Sequence, residues 1–553
     1  MSKPIMIRLI LAAVGCAGVA FAQSAADDAT VKLAARNAKQ ASEALRRSNL
    51  TMHAWLKRAD PVTGLLPRTG TNPNWVVRDS AADLYPFMVI ASRFTDPALY
   101  SGEMRDILRR ENLQTRRVDR LSDDLQPGGK GFVTPTIDLD SVIFGSSEYA
   151  KDGLIPITEI LGETPWYYRM LGIAEDIVAR APYKSRFGQL PANSAEINGN
   201  MLQVLSRLYW KTGNEKFLNQ VIAISDFYFL EMLPKTGYIP AFTWDFEKNQ
   251  AARSMFSFSD HGNEIVGGLS EAYVLVKYKR PEKAKQYREP FLKMMDRLLE
   301  VGRNADGVWV MAVEVPTGKV TTAHHAHCWG YMFNAFYTAY LVTGEEKYRQ
   351  AVRQAIEGVT RNPIYLFDET GSGRRWGSNA YSDSLEGALV LLNRMPDQQA
   401  EDAVDAAARK FFDRQKPDGI IEDWYGDGNF IRTSMMYAFR KSEGAFLTNW
   451  NPSVYLGAAR DGEKLVLHLS AEGTWKGRLC FDHPRHRDHW NMALNYPRLN
   501  EWPEWFTVEH DSIYQVQVAN GAPQDYIGSD LISGIPLFAH MGDAMVIRVW
   551  KKK

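Results

Sequence analysis

The sequence predicts a mainly α protein, an (α/α) toroid of six or seven helical hairpins followed by a smaller all-β sandwich. Three observations carry this reading. One turn recurs along the chain, each turn joins two helices of different character, and the texture changes after Trp450.

The turns come first. Lys211-Thr212-Gly213-Asn214-Glu215-Lys216-Phe217 matches Val342-Thr343-Gly344-Glu345-Glu346-Lys347-Tyr348 almost residue for residue. Looser copies are Leu161-Gly162-Glu163-Thr164-Pro165-Trp166 and Phe94-Thr95-Asp96-Pro97-Ala98-Leu99, with two more at Tyr278–Glu282 and Asn393–Asp397. Gly ends one helix in the left-handed conformation, and an acidic residue or Pro opens the next. The helices before the turns fall near 79–94, 147–161, 198–211, 260–278, 327–342 and 381–393, with a further candidate at 430–440. They are small and apolar nearly all round, whereas their partners, such as 345–359 and 398–412, are amphipathic. An inner and an outer ring repeating every ~50 to 70 residues follow from that asymmetry. The long opening segment 28–58 offers another outer helix.

After Trp450, the stretches SVYLGAAR, KLVLHLSA, WKGRLCFD, WFTVEH, YQVQVA and AMVIRVW are β-branched, aromatic and often alternating. They predict a β-sandwich over 446–553, behind a helical domain over 23–445. The first 22 residues read as a secretory signal: Lys3 and Arg8, an apolar run from Leu9 to Val19, then Ala20-Phe21-Ala22. Val14-Gly15 before Cys16 also permits a lipoprotein reading. A periplasmic or secreted protein is expected, without stable membrane insertion. Cys328 and Cys480, far apart in sequence, give no disulfide framework. Lys+Arg and Asp+Glu number 65 each, so no net field recruits nucleic acid.

In a toroid the inner helices point one way, and their starts converge on one rim. Those starts carry Trp75, Arg78 and Asp79; Asp140; Asn200; Asp260, His261, Asn263 and Glu264; His325, His327 and Trp329; and Arg375, Trp376, Tyr381, Asp383 and Glu386, with Trp424 on a later loop. Helix capping accounts for some of them, since His261-x-x-Glu264 and Asp383-x-x-Glu386 have capping-box spacing. It does not account for the His, Trp, Arg and Tyr among them, which are costly to bury without partners.

The architecture and turns, over about 60–440, resemble the six-hairpin glycosidase superfamily. That resemblance implies carbohydrate chemistry at a rim cleft, on a poly- or oligosaccharide and without a cofactor. Glycoside hydrolysis needs one protonated and one ionised carboxyl group. Asp260, Glu264, Asp383 and Glu386 are the expected catalytic set, with Glu264 and Glu386 one turn inside their helices, where desolvation raises a carboxyl pKa. Which pair member is acid and which base stays open at this point. The other rim residues are expected to bind sugar, and Arg78, Arg374 and Arg375 suit a uronate carboxylate. A metal at His325 and His327 lacks a spaced third ligand, so none is expected.

A polysaccharide lyase is the first alternative, with His261, Asn263, His325, Tyr381 and Arg375 as base, acid and carboxylate neutralisers. A non-catalytic glycan-binding protein is the second. An intracellular epimerase on a similar toroid conflicts with the signal sequence.

Overall fold

The computed structural model describes residues 25–367, 377–422 and 426–553. The expected calls at Arg374, Arg375, Trp376, Asp423 and Trp424, and the signal sequence, lie outside the described residues.

Among the described residues, seven inner helical segments form a closed ring. The first runs Val77–Leu84 and Tyr85–Thr95, the second Leu139–Glu148, Tyr149–Leu154 and Ile155–Leu161. Ala195–Thr212, Glu264–Lys279, Trp329–Thr343, Ser378–Arg394 and Asn429–Lys441 follow. Outer helices accompany the first six, and Ala25–Leu56, packed on the seventh and the first, closes the outer layer. The turns behave as their sequence predicts. Gly213 and Gly344 sit at φ 66° and 75°, and Pro97, Pro165 and Pro281 open outer helices.

Glycine brings neighbouring inner helices together at site level. A Cβ on Gly199 would lie 2.4 Å from the backbone of Glu264, and Gly330 and Gly387 back onto each other just as closely. A larger residue at Gly199 would push the fourth helix start off the third helix.

Two inner helices widen into π turns, at Val77–Leu84 and Tyr149–Leu154. The cause is written in the sequence. Pro86 and Pro156 have no amide hydrogen to donate to the preceding turn, and their rings displace its carbonyl. The widened turns carry Asp79, Asp83, Lys151 and Asp152.

The β region holds a five-stranded and a three-stranded antiparallel sheet, which share one apolar core containing Leu467, Trp475, Phe481, Val516 and Ile547. Strands form at Val454–Asp461, Lys464–Ala471, Trp475–Cys480, Ile513–Val518 and Ala544–Lys551 where the alternating pattern predicts them. The stretch Trp505–His510 is not one: Thr507 makes only a single bridge to Asp482. Gln524–Ile527 and Ile535–Ala539 are strands without a strong alternating signal.

The opening helix also lies against the five-stranded sheet, with Asn37 Nδ2 donating to the Ala458 carbonyl at 2.8 Å. A connection between strands leaves the β region altogether. Trp490, Met492, Tyr496 and Trp502 are buried in the core of the helical ring. Arg498 is buried there with Glu159, its Nε 2.8 Å from Oε1. Arg207 pairs with Glu271 at 2.9 Å and donates to the Leu499 carbonyl, and Tyr496 donates to Glu271 at 3.1 Å. Burial works to raise the Glu159 carboxyl, but Arg498 and Arg207 outweigh it and hold it down at about 2. This segment therefore plugs the ring from the ends opposite the helix starts, and Leu499 at its tip packs against Cys328 and Tyr331.

Candidate active site

The fourth and fifth helix starts are joined by a three-stranded sheet. Met255–Ser257, Val310–Glu314 and Val320–His325 pair antiparallel, and the chain leaves this sheet directly into Phe258–Asn263 on one side and Ala326–Cys328 on the other. Phe258, stacked on buried Trp309 at 5.2 Å, anchors the first of these exits. Asp260 and His327 are thereby set face to face, His327 Nε2 lying 2.8 Å from Asp260 Oδ2. The same nitrogen lies 3.4 Å from Asp383 Oδ2, and Nδ1 lies 3.3 Å from Ser259 Oγ.

The helix beginning at Glu264 has no side-chain cap at Asn263, and the helix beginning at Ser378 has none at Gly377. Asp260 precedes its helix and His261 stands at φ 68°, in the left-handed region. Half of the capping box does form, because the His261 amide donates to Glu264 Oε1 at 3.3 Å. The other half is diverted: the His261 ring reaches across to Glu196, Nδ1 to Oε1 2.5 Å. Asp383 and Glu386 lie in the second and third turns of their helix and cap nothing. They receive the Tyr331 hydroxyl at 2.8 and 2.7 Å and the Arg432 guanidinium at 2.7 and 3.0 Å.

The electrostatics separate these carboxyls. Burial tends to raise Asp260, but the His327 and His261 cations prevail and hold it well below the usual carboxylate range. Burial raises Glu264 to about 7 against the opposing pull of Lys151, with Glu196 and Asp260 adding to the rise. Burial likewise lifts Glu386 to about 7, with Arg432 opposing. Glu148 is pushed well up by burial beside Asp152, Glu196 and Glu264, and burial raises Asp79 despite its ion pair with Arg68 at 2.6 Å. His261 is raised to about 10, first by its bond to Glu196, and His327 to about 10 by Asp260 and Asp383, against its own desolvation. Both imidazoles are cations at neutral pH.

Exposure separates Asp260 and His261 from the other residues of the cluster. The Asp260 side chain is 31% exposed and that of His261 61%, whereas Asp383 and Glu386 retain 6% and 1%. Glu264 is as buried as Asp383, and its Oε2 has no hydrogen-bond partner among the described residues.

Several expected sugar-binding residues stand elsewhere. Trp75 and Trp329 are buried in the ring core, and Trp329 donates to Ser384 Oγ at 3.0 Å, so neither offers a platform to solvent. Tyr381 is buried and stacked on Phe367 with centroids 4.0 Å apart. Asp140 is exposed at the tip of the second inner helix, which starts earlier than its turn spacing predicts, and it accepts from Tyr183. Asn200 is buried and donates to Glu148, and the Asn263 amide is spent on Cys328 Sγ and the Phe258 carbonyl. His325 packs edge-on against Tyr365, centroids 4.9 Å apart, rather than joining His327. Arg78 is exposed with its guanidinium over Phe144.

Residues that sequence reasoning missed include Asp83, Lys151, Asp152, Glu196, Tyr331 and Arg432. The prolines three and four residues after Asp83 and Asp152 were a readable sign of the π turns. Tyr331 and Arg432 gave none, because inside apolar helices they read as core.

Asp260, His327 and Cys328 bring ligand atoms within 4.8 Å of one another. Burial first, and then Asp260 and Asp383, hold the Cys328 thiol protonated, so this trio is a hydrogen-bonded group rather than a ready thiolate site. No described helix is long and apolar enough to cross a membrane.

No protein-family model matches the sequence, and no curated protein matches it. Solved structures do. An inactive variant of an α-1,6-mannanase from Salegentibacter sp. HEL1_6, in complex with α-1,6-mannotriose, is similar at 12% identity over 54% of this chain and 88% of that one, TM-score 0.39. Cellobiose 2-epimerase from Bacillus thermoamylovorans B4167 is similar at 12% identity over 66% and 99%, TM-score 0.42. A family 76 glycoside hydrolase (mannosidase) from Bacteroides thetaiotaomicron VPI-5482 is similar at 10% identity over 72% and 98%, TM-score 0.42.

Proposed function

We propose that this chain is an exported carbohydrate-active enzyme, a glycoside hydrolase in which Glu264 is the general acid and Asp260 the general base. One observation supports this above the rest. Two carboxyls four residues apart are shifted in opposite directions, Glu264 up to about 7 and Asp260 well below its ordinary value. Groups split in this way are what acid–base catalysis at neutral pH requires.

In this reading bound substrate opens the buried Oε2 of Glu264 to the cleft, and from there Glu264 delivers its proton to the departing glycosidic oxygen. Ionised and partly exposed Asp260 takes a proton from the attacking water. The His327 imidazolium, held between Asp260 and Asp383, fixes the direction of the base and keeps it charged. Asp383 and Glu386 become positioning residues, since Tyr331 and Arg432 occupy their oxygens. The His261 cation, at the mouth, meets substrate hydroxyls. A lyase needs an unprotonated base to remove a carbon-bound proton. The upward shift of His261 removes that residue as the lyase base and so weighs against that alternative.

The test is incubation with a panel of plant and algal oligo- and polysaccharides, following new reducing ends and ultraviolet absorbance together. Reducing ends without an unsaturated chromophore support hydrolysis. A chromophore from any uronate polymer, or turnover undiminished in Glu264→Gln, would overturn the assignment.

A further inference from the structure

Far from the rim, three metal-ligating side chains of the β region converge. His483 Nδ1 lies 2.7 Å from Asp488 Oδ2, and His510 Nε2 lies 2.9 Å from the same oxygen. All three ligand atoms fall within 4.8 Å of one another. The two imidazoles come from different segments, one in the turn before Arg485–Asp488 and one in the loop before the strand Ile513–Val518, so tertiary structure alone brings them together.

We propose that His483, Asp488 and His510 form a binding site for a divalent transition-metal cation of the zinc class, which ties the ring plug to the β region. Two imidazole nitrogens and one carboxylate oxygen make a donor set that suits zinc rather than calcium or magnesium, whose ligands are oxygens. With bonds of about 2.0–2.1 Å, tetrahedral ligand atoms stand ~3.3 Å apart. The two nitrogen–oxygen contacts therefore lengthen by a few tenths of an ångström to admit the ion. Each imidazole then carries its single proton on the nitrogen facing away, and the lone pairs of Nδ1 and Nε2 replace two hydrogen bonds. The fourth position faces solvent, because the His510 side chain is 47% exposed. The charged groups nearby compensate one another, Arg487 pairing with Glu509 at 2.6 Å while its Nε stands 3.5 Å from Asp488 Oδ1. His489, edge-on to His483 at 4.9 Å, takes no part, since Nδ1 is engaged with the Glu159 carbonyl and the opposite edge of the ring faces Gly162.

The location gives the site its consequence. Asp488 opens the segment that enters the ring core through Trp490 and Tyr496 and ends with Leu499 against Tyr331. A cation here fixes the root of that plug and, through it, the floor beneath the rim site.

The experiment is zinc titration of the metal-stripped full chain by calorimetry, with melting curves in zinc and in chelator. One equivalent bound at micromolar or tighter affinity is expected, together with a melting temperature raised by zinc. His510→Gln, at a half-exposed position the fold tolerates, should weaken binding by at least the ten- to hundredfold that loss of even an outer-sphere partner costs. His327→Gln should leave the stoichiometry unchanged, which separates this site from the rim trio. No zinc bound, equal affinity in His510→Gln, or loss of the equivalent in His327→Gln would each overturn the proposal.

Discussion

His327 Nε2 and Asp260 Oδ2 stand 2.8 Å apart, although 67 residues separate them in the chain. That ion pair clamps two adjoining helix starts together and decides the charge of the residue we assign as base. Its stability has a defined pH window. The folded pKa of His327, about 10, lies above the ordinary 6.5, so its contribution is fully present below pH ~6.5 and is lost as pH rises through 10. His327→Gln should therefore be destabilised relative to the parent at pH 6, and the gap should narrow steadily towards pH 10. Chemical denaturation across that range measures it; a constant gap would show that the pair contributes no linked stability.

Glu264 is shifted in the same direction over a lower window. Its folded pKa of about 7 exceeds the ordinary 4.5, so the folded state binds the extra proton and loses stability as pH rises from 4.5 through 7. Glu264→Gln keeps the shape and removes the ionisation. Its melting temperature should equal the parent's near pH 4.5 and exceed it above pH 7. Turnover should fall by roughly a hundredfold or more, the scale of lost general acid catalysis.

Arg432 is buried between two carboxyls and reaches Asp383 and Glu386 at 2.7 and 3.0 Å. Arg432→Met leaves both without their cation, and breaking such a buried arrangement costs about 3–5 kcal/mol. Urea unfolding should show a loss of that size. A loss below 1 kcal/mol would mean that Tyr331 and His327 suffice to hold the carboxyls.

The plug is also measurable. Leu499 is 8% exposed and packs beneath Tyr331 and Cys328. Leu499→Ala opens a void there and should cost about 2–5 kcal/mol. Because the void lies under the Tyr331 hydroxyl that holds Asp383 and Glu386, turnover should drop more than in an equally destabilising Leu467→Ala in the β core. Equal loss of activity in both variants would confine the plug to a purely structural role.

The sequence by itself determined the hairpins, the inner and outer rings, and the presence of acids and histidines at the helix starts. These are local matters. A Gly at φ 66° ending Ala195–Thr212, or a Pro opening Pro281–Val301, acts over a single turn, and an apolar surface is legible from periodicity alone. The same local rules misjudged Trp75 and Trp329, whose burial depends on which helices neighbour them. Only the tertiary structure decided that Asp260 faces His327, that Asp383 and Glu386 are locked under Tyr331 and Arg432, and that residues 490–502 enter the ring. It also decided that Glu264 is shifted up and Asp260 down. The two carboxyls differ little in chemistry. What separates them is burial and the charges set around each by segments distant in sequence, and a carboxyl pKa responds to that surrounding field rather than to its neighbours along the chain.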